Sequence, residues 1–105
     1  MQTKVIVLYR LKQGVSLREY CDWSLQVDQR LTSAQPAVNR FEPYVAIGGE
    51  GGGEQYTIFE DLEVETWEEW QRTLATAEMK PVVEGWPKLA DESSLVIVYG
   101  KRVVL

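Results

Sequence analysis

The stretch Ser16–Leu31, SLREYCDWSLQVDQRL, constrains this chain more than any other. Ser16 and Glu19 have the spacing of a capping box: the Ser16 hydroxyl accepts from the N–H of Glu19, and Glu19 reaches back to the N–H of Ser16. Val15, just ahead, is placed to staple onto the first turn. At about 100° per residue, Leu17, Tyr20, Ser24, Val27, Asp28 and Leu31 share one face. A helix with such a face has to bury it, and a sheet is the partner that the rest of the chain offers. Ser24 and Asp28 lie four apart on that face and are neighbours in space. A carboxylate on the core side of a helix needs a partner, because burying it alone is costly.

The remaining elements follow in order. KVIVLYRL (4–11) reads as a strand with Val5, Val7, Tyr9 and Leu11 pointing one way. Both its faces are apolar in the middle, which predicts a central strand. The first helix ends near Thr32–Ala34, because Pro36 disfavours helix before it. AVNRFEPYVAI (37–47) reads as a second strand, and Pro43 makes it an edge strand or gives it a bulge. The glycine-rich link GGEGGGE (48–54) leads into QYTIFEDL (55–62), a third strand, so the pair predicts a long, mobile hairpin. A phosphate cradle would need a lysine and a helix after the glycines, and a strand follows instead. Thr66 and Glu69 form a second capping box, opening a helix to about Ala77 with Trp67, Trp70 and Leu74 on one face. MKPVVEGWPKLAD (79–91), broken by Pro81, Gly85 and Pro87, reads as irregular or as a short helical turn. SLVIVYGKRVVL (94–105) is a fourth strand, apolar on both faces, with Gly100 as a bend.

This order, β-α-β-β-α-β, predicts an α+β ferredoxin-like fold: a four-stranded antiparallel sheet with helices on one face. The 105 residues suit a single domain, 1–105. No strand has a clean polar side, and no third layer remains to cover the second sheet face. A homodimer packed sheet to sheet is the expected solution. No apolar run approaches the roughly 20 residues of a membrane span, and VIVLY is too short for a signal sequence. The expected location is cytoplasmic, with no membrane partner.

Composition removes several chemistries. The formal charge is −5 and the 11 Lys and Arg form no basic stripe, which argues against a nucleic-acid partner. Histidine is absent. With it go Ser-His-Asp and Cys-His triads, His-ligated haem and most catalytic zinc sites. No cofactor is expected, and no metal: the carboxylates Glu60, Asp61, Glu63, Glu65, Glu68 and Glu69 read as a strand end and helix start that suit the helix dipole. Cys21, the only cysteine, reads as a small buried hydrophobe. Acid–base work falls to carboxylates, tyrosines or lysines. Asp28 is the first candidate. Desolvation would raise its pKa and a nearby cation would lower it. The competing role is an ion pair with Arg10 or Arg40, or access to water at the helix end. Tyr9 is the second, as a phenol pointing between sheet and helices. Trp23, Trp67, Trp70 and Trp86 supply flat aromatic surface, as core or as pocket wall. Arg40 is either a donor to a ligand or a salt-bridged edge residue.

The chain resembles the dimeric α+β barrel superfamily, in VIVLYRLKQGVS at the first strand and REYCDW in the helix. EthD-like members close that helix with an HxPL motif after a Tyr and a Trp. Here Tyr20 and Trp23 precede Asp28-Gln29-Arg30-Leu31, so Asp28 stands where the histidine would be and Arg30 replaces the proline. WSLQVD, with Asp five after Trp, is more similar to the RedY/HapK-like branch, encoded among genes for prodigiosin-type pigments. The resemblance implies a homodimer with an apolar pocket between sheet and helices. It implies an accessory protein binding a small heteroaromatic intermediate such as a bipyrrole, with a pathway enzyme as a further partner. Asp28 and Tyr9 would be the reactive or hydrogen-bonding groups, and Ser24, Trp23, Arg40, Trp70 and Trp86 the ligand contacts. Two other roles stay open: a cofactor-independent cyclase, dehydratase or monooxygenase, and a protein-interaction module whose core beside Asp28 is filled.

Overall fold

In the computed structural model, which describes residues 2–104, β1 (Thr3–Leu11), β2 (Val38–Val45), β3 (Ile58–Val64) and β4 (Ala90–Gly100) form one antiparallel sheet. The order is β2-β3-β1-β4. β1 is central, as its two apolar faces require, and β2, which carries Pro43, is an edge strand with a register shift between Val38 and Arg40. Helices α1 (Leu17–Trp23), α2 (Gln29–Ser33), α3 (Trp67–Leu74) and α4 (Lys80–Leu89) cover one face. One half of each capping box forms: the Ser16 hydroxyl accepts from the Glu19 N–H at 3.0 Å, and Thr66 from Glu69 at 3.0 Å, while among the described residues neither glutamate carboxylate bonds back to the cap N–H. No helix among the described residues is long and apolar enough to cross a membrane.

Several boundaries differ from the sequence reading. Residues 79–91 are neither irregular nor a single short turn, because α4 is a ten-residue helix. Pro81 lies in its first turn, where a missing N–H has no helical partner to lose, and Pro87 removes a bond only near the far end. β4 begins at Ala90 rather than 94, since Leu11 pairs with Ala90 and Arg10 with Asp91 before the register shifts. It ends at Gly100 rather than running to 105, and Leu105 lies outside the described residues. β3 is displaced to Ile58–Val64, leaving Tyr56 and Thr57 to the turn, where Gly51 and Gly52 take positive φ.

The two sheet faces are unlike. On the helix side, Val5, Val38, Phe41, Leu62 and Val64 form one buried cluster against Trp67 and Trp70. Tyr9, Tyr20, Ile58 and Ala90 form a second, against Trp23 and Trp86, and Val7 packs on both. On the open side, cross-strand register aligns rows. Tyr44, Phe59, Leu8 and Val96 make an apolar row; Arg40, Glu63 and Lys4 make a charged one. The open face is therefore half apolar and half ionic, not apolar throughout.

Candidate functional site

The helix Leu17–Ser33 is not uniform. Over Ser24–Asp28 it widens into a π turn, with the Gln29 N–H bonded to the Ser24 carbonyl five residues back. In a regular α-helix each step of four residues over-rotates by about 40°, so positions 20 and 32 would diverge by about 120°. The wider turn absorbs part of that rotation. Tyr20, Ser24, Asp28 and Thr32 consequently form one buried line, at 2%, 3%, 4% and 1% exposure, while Leu17, expected on this face, is 43% exposed. Such turns are frequent at functional sites.

Opposite that line stands β3. Its inward positions are Ile58, Glu60, Leu62 and Val64, so alternation drives Glu60 into the core. A chain of hydroxyls connects Glu60 to the helix. Tyr9 donates to Glu60 Oε2 at 2.6 Å. That commits the only Tyr9 hydroxyl proton, so the 2.6 Å contact between Tyr9 and Tyr20 is Tyr20 donating to Tyr9. Thr32 donates to Asp28 Oδ1 at 2.9 Å, and Gln29 donates to Ser24 Oγ at 3.1 Å.

Electrostatics separate the two carboxylates. Burial pushes the Asp28 carboxyl up to about 6, with the Thr32 hydroxyl pulling the other way. Burial, and then the charge of Asp28, push Glu60 up to about 8, opposed by the hydrogen bond from Tyr9. Near neutrality the pair therefore keeps a proton between its two carboxyls. Burial, followed by the Glu60 charge, raises both phenols, so neither Tyr9 nor Tyr20 ionises near neutrality.

Asp28 and Glu60 share a cavity of about 230 Å³ between the two core clusters. Trp70 and Trp86 form aromatic walls, Thr32, Val7 and Phe41 add to them, and Val83, Leu95 and Ile97 stand at its exposed side. The volume lies below the roughly 300–1,000 Å³ of drug-sized sites and suits one or two small rings.

Comparison with known proteins places the chain in a family and its fold among known structures. The family model for REDY-like protein HapK matches residues 3–103. The chain belongs to the REDY-like HapK family. The crystal structure of HapK from Hahella chejuensis is similar, at TM-score 0.79 and 18% identity over 98% of this chain and 93% of that one. An EthD family protein from Bacillus halodurans C-125 aligns at TM-score 0.73 and 18% identity, over 98% and 100% of the two chains. A dimeric ferredoxin-like protein of unknown function from Thermobifida fusca aligns at TM-score 0.74 and 13% identity, over 95% and 90%. No curated protein matches the sequence.

In this REDY-like HapK chain the cavity gathers Asp28, Trp70 and Trp86 from the sequence candidates. Tyr9 stands behind it, edge-on to Trp86 at 5.2 Å, and reaches it through Glu60. Ser24 lines a separate depression of about 160 Å³ with Cys21 and Gln29. Trp23 packs between α1 and α4, where a β-carbon on Gly85 would fall 2.7 Å from its indole nitrogen. Arg40 is on the opposite sheet face, bonded to Asp61 at 3.0 Å, so it does not reach the cavity. Neither arginine pairs with Asp28: Arg10 instead meets Asp91 at 3.4 Å. Glu60, Tyr20 and Thr32 are the residues that sequence reasoning missed. Glu60 reads as one more member of the acidic run that follows it; its place in the alternation Ile58-x-Glu60-x-Leu62-x-Val64 is the available signal.

Proposed function

We propose that this chain is a small-molecule-binding accessory protein of prodigiosin-type, bipyrrole pigment biosynthesis, and that its cavity holds a small flat heteroaromatic intermediate. One observation carries the reading: an apolar cavity walled by Trp70 and Trp86 has two carboxylates, Asp28 and Glu60, at its polar end. Indole faces suit a planar ring, and carboxylates accept from pyrrole N–H groups. Family membership supports the pathway assignment. The cavity also disfavours the interaction-module reading, which needs a filled core beside Asp28. Titration of the protein with 2,2′-bipyrrole and with indole, followed by tryptophan quenching and calorimetry, tests the proposal. Saturable binding that weakens in Trp70→Leu is expected; absence of binding by both compounds would remove it.

A second reading, a cofactor-independent enzyme, is favoured by two carboxyls lining one cavity, Asp28 and Glu60, both raised by burial. A raised, proton-sharing pair is how one site holds a base and an acid together. Asp28 would be the base and Glu60 the acid, with Tyr9 positioning Glu60. Asp28→Asn should then abolish turnover with the fold intact, and retained turnover would take Asp28 out of the mechanism.

We further propose a homodimer through the open sheet face. Phe59, Tyr44, Val96 and Val98 are 38–60% exposed there, a patch that monomeric proteins rarely leave open. Light scattering should give twice the chain mass, and Val98→Glu should reduce it to one.

A further inference from the structure

We propose that the occupant of the cavity is a cation: a flat ring system carrying a protonated, multiply N–H-bearing group that donates to both Asp28 and Glu60. The inference rests on the reading of the cavity as a ligand site and adds the charge and donor pattern of the ligand.

Each carboxylate has one oxygen engaged and one left over. Thr32 holds Oδ1 of Asp28, and Tyr9 holds Oε2 of Glu60. Among the described residues no hydrogen bond reaches Asp28 Oδ2 or Glu60 Oε1, and no buried side-chain oxygen is sealed in without a partner. The two free oxygens therefore open onto accessible space, and the cavity is the space that both residues line. Asp28 is 96% buried and Glu60 92% buried by the complement of their 4% and 8% exposures.

No lysine or arginine of the described residues lines this cavity. The helix-side groups that ionise around it are Asp28 itself, Glu60 from β3, and behind them Tyr9 from β1 and Tyr20 from α1. The linings from α3, α4 and β4 are aromatic or aliphatic. Buried carboxylates are ordinarily paired with a cation, and here the chain supplies none. An anionic ligand would be repelled. A neutral N–H donor would fill the hydrogen bonds and leave the charge uncompensated. A hard metal ion needs more oxygens than two carboxylates in an apolar box provide. A flat cation meets every wall: its N–H groups face the carboxylates, and its ring and charge face Trp70 and Trp86, indole being the best cation–π surface.

The experiment compares benzamidine, a flat cation with N–H donors on one edge, with benzamide, its neutral counterpart of the same shape. Indole and 2,2′-bipyrrole run alongside, all by calorimetry on the unaltered protein. Benzamidine should bind about ten- to a hundredfold more tightly than benzamide, the range expected for hydrogen bonds to charged groups. Its affinity should rise with pH as Glu60 gives up its proton near about 8. The same heats measured in buffers of different ionisation enthalpy should report proton release. Glu60→Gln and Asp28→Asn should each remove most of the preference for benzamidine over benzamide. Equal binding of benzamidine and benzamide, with indole or bipyrrole still bound, would overturn the cationic inference and leave the ligand-site reading standing. Failure of all four compounds to bind would overturn both. The comparison on the unaltered protein decides the matter even if a variant does not fold.

Discussion

Glu60 and Asp61 are adjacent on β3 and differ by one methylene, yet they sit in opposite chemical worlds. Glu60 points to the helices, is buried, has no cation beside it, and is pushed up to about 8, first by burial. Asp61 points to the open face. Burial is the largest single influence and raises it, but Lys4 at 2.8 Å and Arg40 at 3.0 Å together outweigh that and hold it below the usual carboxylate range. The pleat alone separates them. The lesson is that a carboxylate's chemistry is set by which face receives it. On one face the charges are neutralised by the chain; on the other, neutralisation is left to a proton or a ligand.

The largest test of this contrast is pH-dependent stability. Asp28 and Glu60 have folded pKa values above those of the unfolded chain, so between the two values the unfolded state binds fewer protons. Stability therefore falls as pH rises from about 4 through about 8, by an amount on the order of a few kcal/mol. Urea unfolding at about pH 5 and about pH 9 measures it, and Glu60→Gln should flatten much of the slope. A midpoint that rises over that interval would break the comparison. Asp61 and Asp91, held low, contribute with the opposite sign, but only as pH falls below the ordinary carboxylate range.

A smaller effect is expected from Tyr9→Phe. Among the described residues its hydroxyl is the one group that favours the ionised form of Glu60. Losing a hydrogen bond to a charged group should cost about 1.5–3 kcal/mol at alkaline pH, where Glu60 is ionised. Carbon NMR of the Glu60 carboxyl should show it titrating higher still; an unchanged or lower titration would show that Tyr9 does not hold it.

The smallest effect belongs to the open face. Asp61→Asn removes a carboxylate shared by Lys4 and Arg40, but exposed pairs contribute only about 0–1 kcal/mol and weaken with salt. A loss well above that, insensitive to salt, would mean that the proposed dimer interface extends beyond the apolar row to cover this charged row as well.

Much of the fold was legible because its signals are local. Both helix N-caps, the edge position implied by Pro43 and the central position of β1 follow from groups a few residues apart. α4 was not legible, because Pro81, Gly85 and Pro87 speak against helix wherever position within the helix is unknown. The same prolines are harmless in a first turn and near a last one. Gly85 has a packing reason, since only a residue without a β-carbon lets α4 approach the Trp23 indole. Asp28 stood out because a carboxylate interrupts an apolar helix face. Glu60 did not, because it begins a run of acids whose later members are exposed.

By itself the sequence determined the order of elements, the caps that start the helices, the lack of histidine and the inward position of Asp28. Those depend on residue identity and short-range periodicity. Only the tertiary structure decided that Tyr9, Tyr20 and Glu60 form one hydrogen-bonded chain, that a π turn brings Tyr20 and Ser24 into line with Asp28 and Thr32, and that Arg40 is removed to the far side of the sheet. The physical reason is distance along the chain. Glu60 is 51 residues from the phenol that donates to it. No local pattern records which buried oxygens will meet across a cavity until β1 and β3 pair and the helices close over them.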